Sequence, residues 1–390
     1  RERAQGMIRG PAHGLPILVK DLIDVVGMYT SAGNYSLREN FPPEDSGIAK
    51  KLKASGVIIL GKLGLSEFAN SFGSQPSGFS NLTGQVIHAL DADQNPSGSS
   101  SGSGSAGAAA LAMLTIGTET SGSIISPSRA QGIVGLRPTV GLVPGYGIAP
   151  ISASQDTAGP MVKTVAEAAM TLQSIAGPDP LNAVEYGSVF GVPYDDVIPP
   201  IPAVLPNYAD ALDLNFVNGK RIGYNGALDN TPPATGRTPL GIAYDVLVAA
   251  GAIMVPRAQT VVPTLPALPS GYEQHKTIDE YYLRLGPDAP IKSLVEEVAD
   301  NQANAQEALK FGNQNHVNSS LADITPGGAN ETTYRTNLRI RKAAWHKAIE
   351  DMLNNETPAD PSDDFIAILG SAPSTPQAGY PQITIPMGYN

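Results

Sequence analysis

A chain of 390 residues with a formal charge of −11, from 36 acidic against 25 basic side chains, repels phosphate backbones and anionic headgroups, which excludes nucleic acid as a main partner. Hydrophobic residues at 42% and charged residues at 16% describe a folded globular chain, and 41 Gly and 34 Pro give it many turns. Cysteine is absent, which removes disulfides and cysteine nucleophiles, and the five scattered histidines include no His-Glu-x-x-His pair, so no metal and no cofactor are expected.

The first element in chain order is an apolar strand, Leu15 to Val19, which ends abruptly on Lys20-Asp21. A helix from Ser46 to Ala54 and a strand from Val57 to Leu60 follow, an αβ alternation that implies a layered sheet. Asn95 to Gly107 is dense in Ser and Gly and leads into a predicted small-residue helix, Ala108 to Thr115. Ile116 to Ser128 reads as a second polar, Gly-containing loop, and Gly132 to Pro138 comes after it. Beyond about residue 180 the Pro-rich stretches Val192 to Pro206 and Val255 to Ser270 read as surface connections. Helices are expected at Pro239 to Ala250 and Ile291 to Leu309, with a final strand at Gln382 to Pro386. The expectation is one α/β domain over 1–390, with its chemistry in about 1–180 and a pocket-forming cover in about 181–390. No apolar run approaches the roughly 20 residues that span a bilayer, and Arg1 to Gly10 lacks the apolar core of a signal peptide. The expected setting is therefore the cytoplasm, with no membrane partner.

Three familiar motifs fail on their chemistry. Gly56-x4-Gly61-Lys62 is followed by Leu63, where a phosphate loop needs a Ser or Thr to ligate magnesium. Gly102-x-Gly104-x-x-Gly107 lacks the preceding strand and the later acidic residue of a dinucleotide site. Gly98-Ser-Ser-Ser-Gly102 has the form of a nucleophile elbow centred on Ser100, but the preceding Asp91 to Ser97 is polar and turn-like.

What remains is a pair of loops, Pro96-Ser-Gly-Ser-Ser-Ser-Gly-Ser103 and Gly117-Thr-Glu-Thr-Ser-Gly-Ser-Ile124, with Gly14-Leu-Pro-Ile-Leu-Val-Lys-Asp21 upstream. With these the chain resembles the amidase signature family, whose members carry two such loops and a lysine closing an upstream strand. Gly132-Ile-Val-Gly-Leu-Arg-Pro138, Ser154-Gln-Asp-Thr-Ala-Gly-Pro160 and Ala378-Gly-Tyr-Pro-Gln-Ile-Thr-Ile-Pro386 extend the likeness over nearly the whole chain, and the first loop together with Gly117-Thr-Glu-Thr120 looks closest to the peptide amidase branch. The resemblance implies a mixed central β-sheet covered by α-helices on both faces. It makes Ser123 the nucleophile, Ser99 the cis-peptide serine that relays the proton, and Lys20 the base. The backbone N–H groups of Thr120, Ser121, Gly122 and Ser123 become the oxyanion hole, and Gly73 and Ser74 line the substrate. The family usually begins with a further helix and continues past Gly388, so this sequence is expected to represent part of such a protein. Departures occur at Ser121, Ile125 and Leu63-Gly64, which bear on substrate preference.

A serine hydroxyl needs a base within hydrogen-bond reach. A lysine serves only if burial lowers its pKa from the ordinary value near about 10.4. Asp21, Glu67, Glu119, Arg137 and Asp156 read as structural hydrogen-bond and ion-pair partners, and His13 with the other histidines as outside the chemistry. The function so implied is hydrolysis of linear amides, including peptide C-terminal amides, by a monomer or homodimer acting on a small-molecule substrate. Aryl-amide or carbamate hydrolysis, an amidotransferase subunit and an inactive binding protein are the alternatives.

Overall fold

The computed structural model describes residues 2–178, 180–181, 198, 201, 204–213, 215–225, 238–258, 260–354, 364–370 and 375–386. Most of the Pro-rich stretch from Val192, and the chain end beyond Pro386, lie outside the described residues.

Strand β1 (Pro16–Lys20), helix α1 (Gly47–Ala54) and strand β2 (Ile58–Leu63) form the expected αβ unit. Ser46 caps α1 by accepting from the Ala49 N–H, and Ile48, Ala49 and Leu52 make its buried face. Helix α2 (Ser101–Ala108), strand β3 (Leu114–Glu119), helix α3 (Ile125–Ala130), strand β4 (Val134–Arg137), strand β5 (Thr157–Val162) and helix α4 (Val165–Ile175) follow. With β9 (Gln382–Thr384) the strands form a six-stranded sheet in the order β9-β4-β5-β3-β1-β2. β1 lies parallel to β2 and β3, whereas the β3–β5, β5–β4 and β4–β9 pairings are antiparallel. This is the mixed central sheet that the resemblance implies.

Alternation along the strands sorts the two faces. Ile17, Val19, Leu114, Ile116, Ala158 and Val162 point to one side, into a core with Ile48 and Leu52 of α1 and Leu172 and Ile175 of α4. The other side receives α2 and α3, and here close approach decides the residue types. A methyl group on Gly102 would lie 2.3 Å from the Gly64 carbonyl oxygen, and one on Gly107 2.9 Å from that of Met161. The glycines that imitate a dinucleotide fingerprint are thus spacers that let a helix backbone touch its neighbours. Gly102→Ala is expected to cost about 1–3 kcal/mol or more through overpacking, read as a lower denaturant midpoint.

Two sequence expectations are corrected. The helix predicted at Ala108 to Thr115 ends where that segment begins, because Ala110 adopts a left-handed backbone (φ 56°) and turns the chain back into β3. The second loop is shorter than Ile116 to Ser128, since β3 runs to Glu119 and α3 starts at Ile125. Serine and glycine have poor helix propensity, and packing against the sheet overrides it in α2.

A second, parallel three-stranded sheet joins β6 (Arg221–Tyr224), β7 (Ile253–Pro256) and β8 (Ala367–Leu369) in the order β8-β6-β7. Helix α5 (Pro239–Ala249) is capped by Thr238, which accepts from the Gly241 N–H, and fits its expected span, and α7 (Leu294–Ala303) falls inside the expected Ile291 to Leu309. Helices α6 (Tyr272–Arg284) and α8 (Ala329–Leu353) were not expected. Ile278, Tyr281 and Tyr282 of α6 pack on Leu22, Leu65 and Phe68, which covers the carboxyl ends of β1 and β2. Among the described residues no helix is long and apolar enough to cross a membrane.

Candidate active site

Because Ile17 and Val19 face the apolar core, Lys20 turns to the opposite face, toward the Ser/Gly loop that precedes α2. Lys20 is fully buried, and its Nζ donates to Ser99 Oγ at 2.8 Å and to the Thr118 carbonyl at 3.4 Å. Burial lowers its pKa to about 7, although the negative charges of Asp156 and Glu119 favour the protonated form. Ser99 follows a cis peptide bond from Gly98, and its carbonyl accepts from the Ser66 N–H at 3.0 Å.

Ser100, the centre of the elbow-like motif, is fully buried and committed elsewhere. Its hydroxyl donates to the Thr118 carbonyl at 2.9 Å and accepts from the Thr118 N–H at 3.1 Å, which stitches the loop to β3. Ser100→Ala is expected to lower stability by about 1–3 kcal/mol, with a serine-directed phosphonate attaching as readily as before.

The turn between β3 and α3 carries Ser123. Its carbonyl accepts from the Ser100 N–H at 3.2 Å, so the two Ser/Gly loops lie side by side. The structure joins Lys20 to Ser99 directly and Ser123 to them through this backbone contact. The Ser123 hydroxyl has no hydrogen-bond partner among the described residues, and the residue is 8% exposed. Glu119 shapes the turn by accepting from the Ile124 and Ile125 N–H groups at 2.7 and 3.0 Å. Those bonds cap α3 and leave the N–H groups of Thr120, Ser121, Gly122 and Ser123 with no hydrogen-bonded acceptor among the described residues. Gly122 sits at φ 85°, a left-handed conformation that suits glycine.

The acidic and basic residues read as structural make such contacts. Glu119 pairs with Arg137 at 3.3 Å, both fully buried, and Arg137 also donates to the carbonyls of Gln155, Tyr380 and Pro376 at 2.7, 3.0 and 3.3 Å. Asp156 accepts from the Thr120 hydroxyl and from the Ile151 and Ser152 N–H groups. Burial raises its pKa to about 6 against those hydrogen bonds. Glu67 is raised to about 8 by burial and is held by Asn34 and Asn81. Asp21 pairs at 2.9 Å with Lys62, the lysine of the phosphate-loop look-alike. His13 contacts Glu2 at 3.1 Å.

A cavity of about 50 Å³ adjoins the turn, bounded by Thr120, Asp156, Leu22, Ala69, Ile148 and Ile151. Gly73 and Ser74 are not among its lining residues, and Ser74 lies against Asn313. One further array looks catalytic, with Ser71 Oγ 3.2 Å from His316 Nε2 and His316 Nδ1 2.8 Å from Glu297. His316 is fully buried between Phe68 and Phe72, and the left-handed residues Phe68, Ala69 and Asn70 precede Ser71. The array fastens this strained turn at the cavity wall. Among the described residues no group of His, Asp and Glu side chains is arranged to hold a metal ion. Sequence reasoning missed Lys342 and Glu273, described below, although the helical spacing around Lys342 carries a signal.

The family model described as Amidase matches residues 1–189. The chain is 40% identical over 258 residues to a protein of Arthroderma benhamiae that bears the name amidase, covering 65% of this chain and 42% of that protein. It therefore spans less than half the length of that relative. It is 33% identical over 400 residues to a protein of Arabidopsis thaliana named as a probable amidase, covering 97% of this chain and 71% of the relative. Among solved structures, the native peptide amidase from Stenotrophomonas maltophilia superposes with a TM-score of 0.79 at 34% identity, covering 100% of this chain and 79% of that one.

Proposed function

The chain belongs to the amidase signature family, and from that premise we propose that it hydrolyses linear amides, peptide C-terminal amides included, with Ser123 as nucleophile, Ser99 as relay and Lys20 as base. The observation that carries this reading is the buried Lys20–Ser99 contact of 2.8 Å beside the Ser123 turn. A lysine whose pKa falls to about 7 is half neutral at that pH and accepts a proton from Ser99, while Ser99 takes one from Ser123. The Ser123 hydroxyl, with no partner of its own among the described residues, is available for that exchange.

Attack of Ser123 Oγ on the substrate carbonyl forms a tetrahedral oxyanion. The N–H groups of Thr120 to Ser123, which have no acceptor of their own among the described residues, receive it, each such donor being worth about 3 kcal/mol. Lys20, protonated in the first step, returns its proton through Ser99 to the departing nitrogen, and the C–N bond breaks. Water then attacks the acyl-Ser123 ester by the same relay, releasing the acid and restoring the free serine. Carbamates and esters pass through the same acyl-enzyme route, which makes urethane or aryl-amide cleavage the second reading.

A screen of peptide amides, anilides and carbamates on purified protein separates the two readings by relative kcat/KM. A fluorophosphonate is expected to label Ser123, located by mass spectrometry. Label on another serine overturns the assignment of Ser123, and no label with all substrates inert overturns the hydrolytic reading and leaves the binding-protein alternative.

A further inference from the structure

The buried face of α8 follows a regular helical stripe of Tyr334, Leu338, Lys342, Trp345, Ile349 and Met352. One member is a lysine, and it is 1% exposed. Its Nζ donates to the Ser154 carbonyl at 2.5 Å and to the Gln377 carbonyl at 2.8 Å, with no carboxylate within 4.0 Å among the described residues. Burial lowers its pKa to about 7, with the charge of Glu273 opposing. An amine kept at a position that an apolar side chain would fill carries a desolvation cost, which directs attention to what it holds.

What it holds is the loop 151–156, which two other charged side chains fasten as well, the half-buried Glu273 and the buried Arg137. Glu273 accepts from the Ser152 hydroxyl and the Ser154 N–H at 2.9 and 3.0 Å, and Arg137 holds the Gln155 carbonyl. The loop ends on Asp156, which accepts from the Thr120 hydroxyl at the head of the Ser123 turn. We propose that Lys342 is a positioning residue: by anchoring the Ser154 carbonyl it sets the loop, and through Asp156 and Thr120 it aims the N–H groups of residues 120–123. This rests on the hydrolytic reading of Ser123.

The test uses Lys342→Met, which fills the stripe without a donor, and Thr120→Val, which removes the hydroxyl at the far end. Turnover is measured per active site, counted by phosphonate label on Ser123, so that loss of folded protein does not enter the rate. Lys342→Met is expected to lower kcat per labelled site by about 10- to 100-fold, the scale of a small misplacement of reacting groups. KM is expected to stay within about 3-fold, because the N–H groups of residues 120–123 meet a charge that develops only in the transition state, and Thr120→Val is expected to give a comparable loss of kcat. The double variant is expected to be no worse than about 3-fold below the slower single one, since both act along one chain of contacts.

Unchanged kcat per labelled site, with only the number of labelled sites reduced, shows a purely structural lysine and overturns the proposal. Multiplying losses in the double variant overturn the route through Thr120. Should Lys342→Met not fold, the same cycle with Lys342→Gln, which keeps one donor, is decided on these two criteria. If wild-type protein neither labels nor turns over substrate, it is the hydrolytic reading that has failed.

Discussion

Ser123→Ala is expected to reduce amide turnover by on the order of 10⁵- to 10⁶-fold and to abolish phosphonate labelling, with thermal unfolding changed by a few degrees at most. The size follows from its proposed place as the covalent link, for which the neighbouring described hydroxyls offer no ready substitute. Ser100 is the nearest hydroxyl in sequence to Ser99, but its oxygen both donates to and accepts from Thr118. Ser71 is engaged with a fully buried His316 at 3.2 Å and with the Phe68 carbonyl at 2.8 Å. Residual activity above about one part in 10⁴ of wild type, or label on any other serine, is the result that removes Ser123 from the chemistry.

The second large effect concerns the base. Lys20→Met is expected to cost about 10⁴-fold or more in kcat/KM, and Lys20→Arg about as much, since an arginine keeps its charge at any working pH. In the wild type only neutral Lys20 accepts a proton, and the neutral fraction grows as pH rises. The profile of kcat/KM against pH should therefore climb about tenfold per unit on the acid side, bend near about 7 and stay flat into the alkaline range. Asp156→Asn supplies the sign test. The negative charge of Asp156 raises the Lys20 pKa, so its removal moves the bend to lower pH. A bend that moves upward, or a Lys20→Arg enzyme of near-normal activity, excludes lysine as the base.

Lys20 was legible as a charge closing an apolar strand, its role as base came from the family resemblance, and the turn of its side chain away from the core of Ile17 and Val19 is seen only in the structure. Ser99 and Ser123 were legible as types within two Ser/Gly loops, and their partnership came from the family resemblance. Local patterning was blind to α2, whose serines and glycines look like a loop until the sheet beneath them is known. It missed α8 although the buried positions keep helical spacing, because Lys342 stands among them where a buried stripe is expected to be apolar. The strands β6, β7 and β8 escaped because three or four residues are too few for periodicity, and β6 and β8 lie far apart in sequence yet side by side in the sheet. Gly73 and Ser74 came from the resemblance alone, and the cavity beside the Ser123 turn is bounded by Leu22, Ala69 and residues of the 145–157 region.

Arg137 holds carbonyls 239 and 243 positions further along the chain, and β4, on which it sits, pairs with β9. At translation speeds of roughly 5–20 residues per second, about 12 to 50 seconds separate the emergence of that guanidinium from that of its distant acceptors. Lys20, Ser99 and Ser123 are all out of the ribosome long before then, while the segment that completes the Arg137–Glu119 support does not yet exist. Contacts so remote in sequence also close slowly. Until Pro376 and Tyr380 emerge, a growing polypeptide thus carries Lys20, Ser99 and Ser123 without the contacts that complete the support of the Glu119 turn.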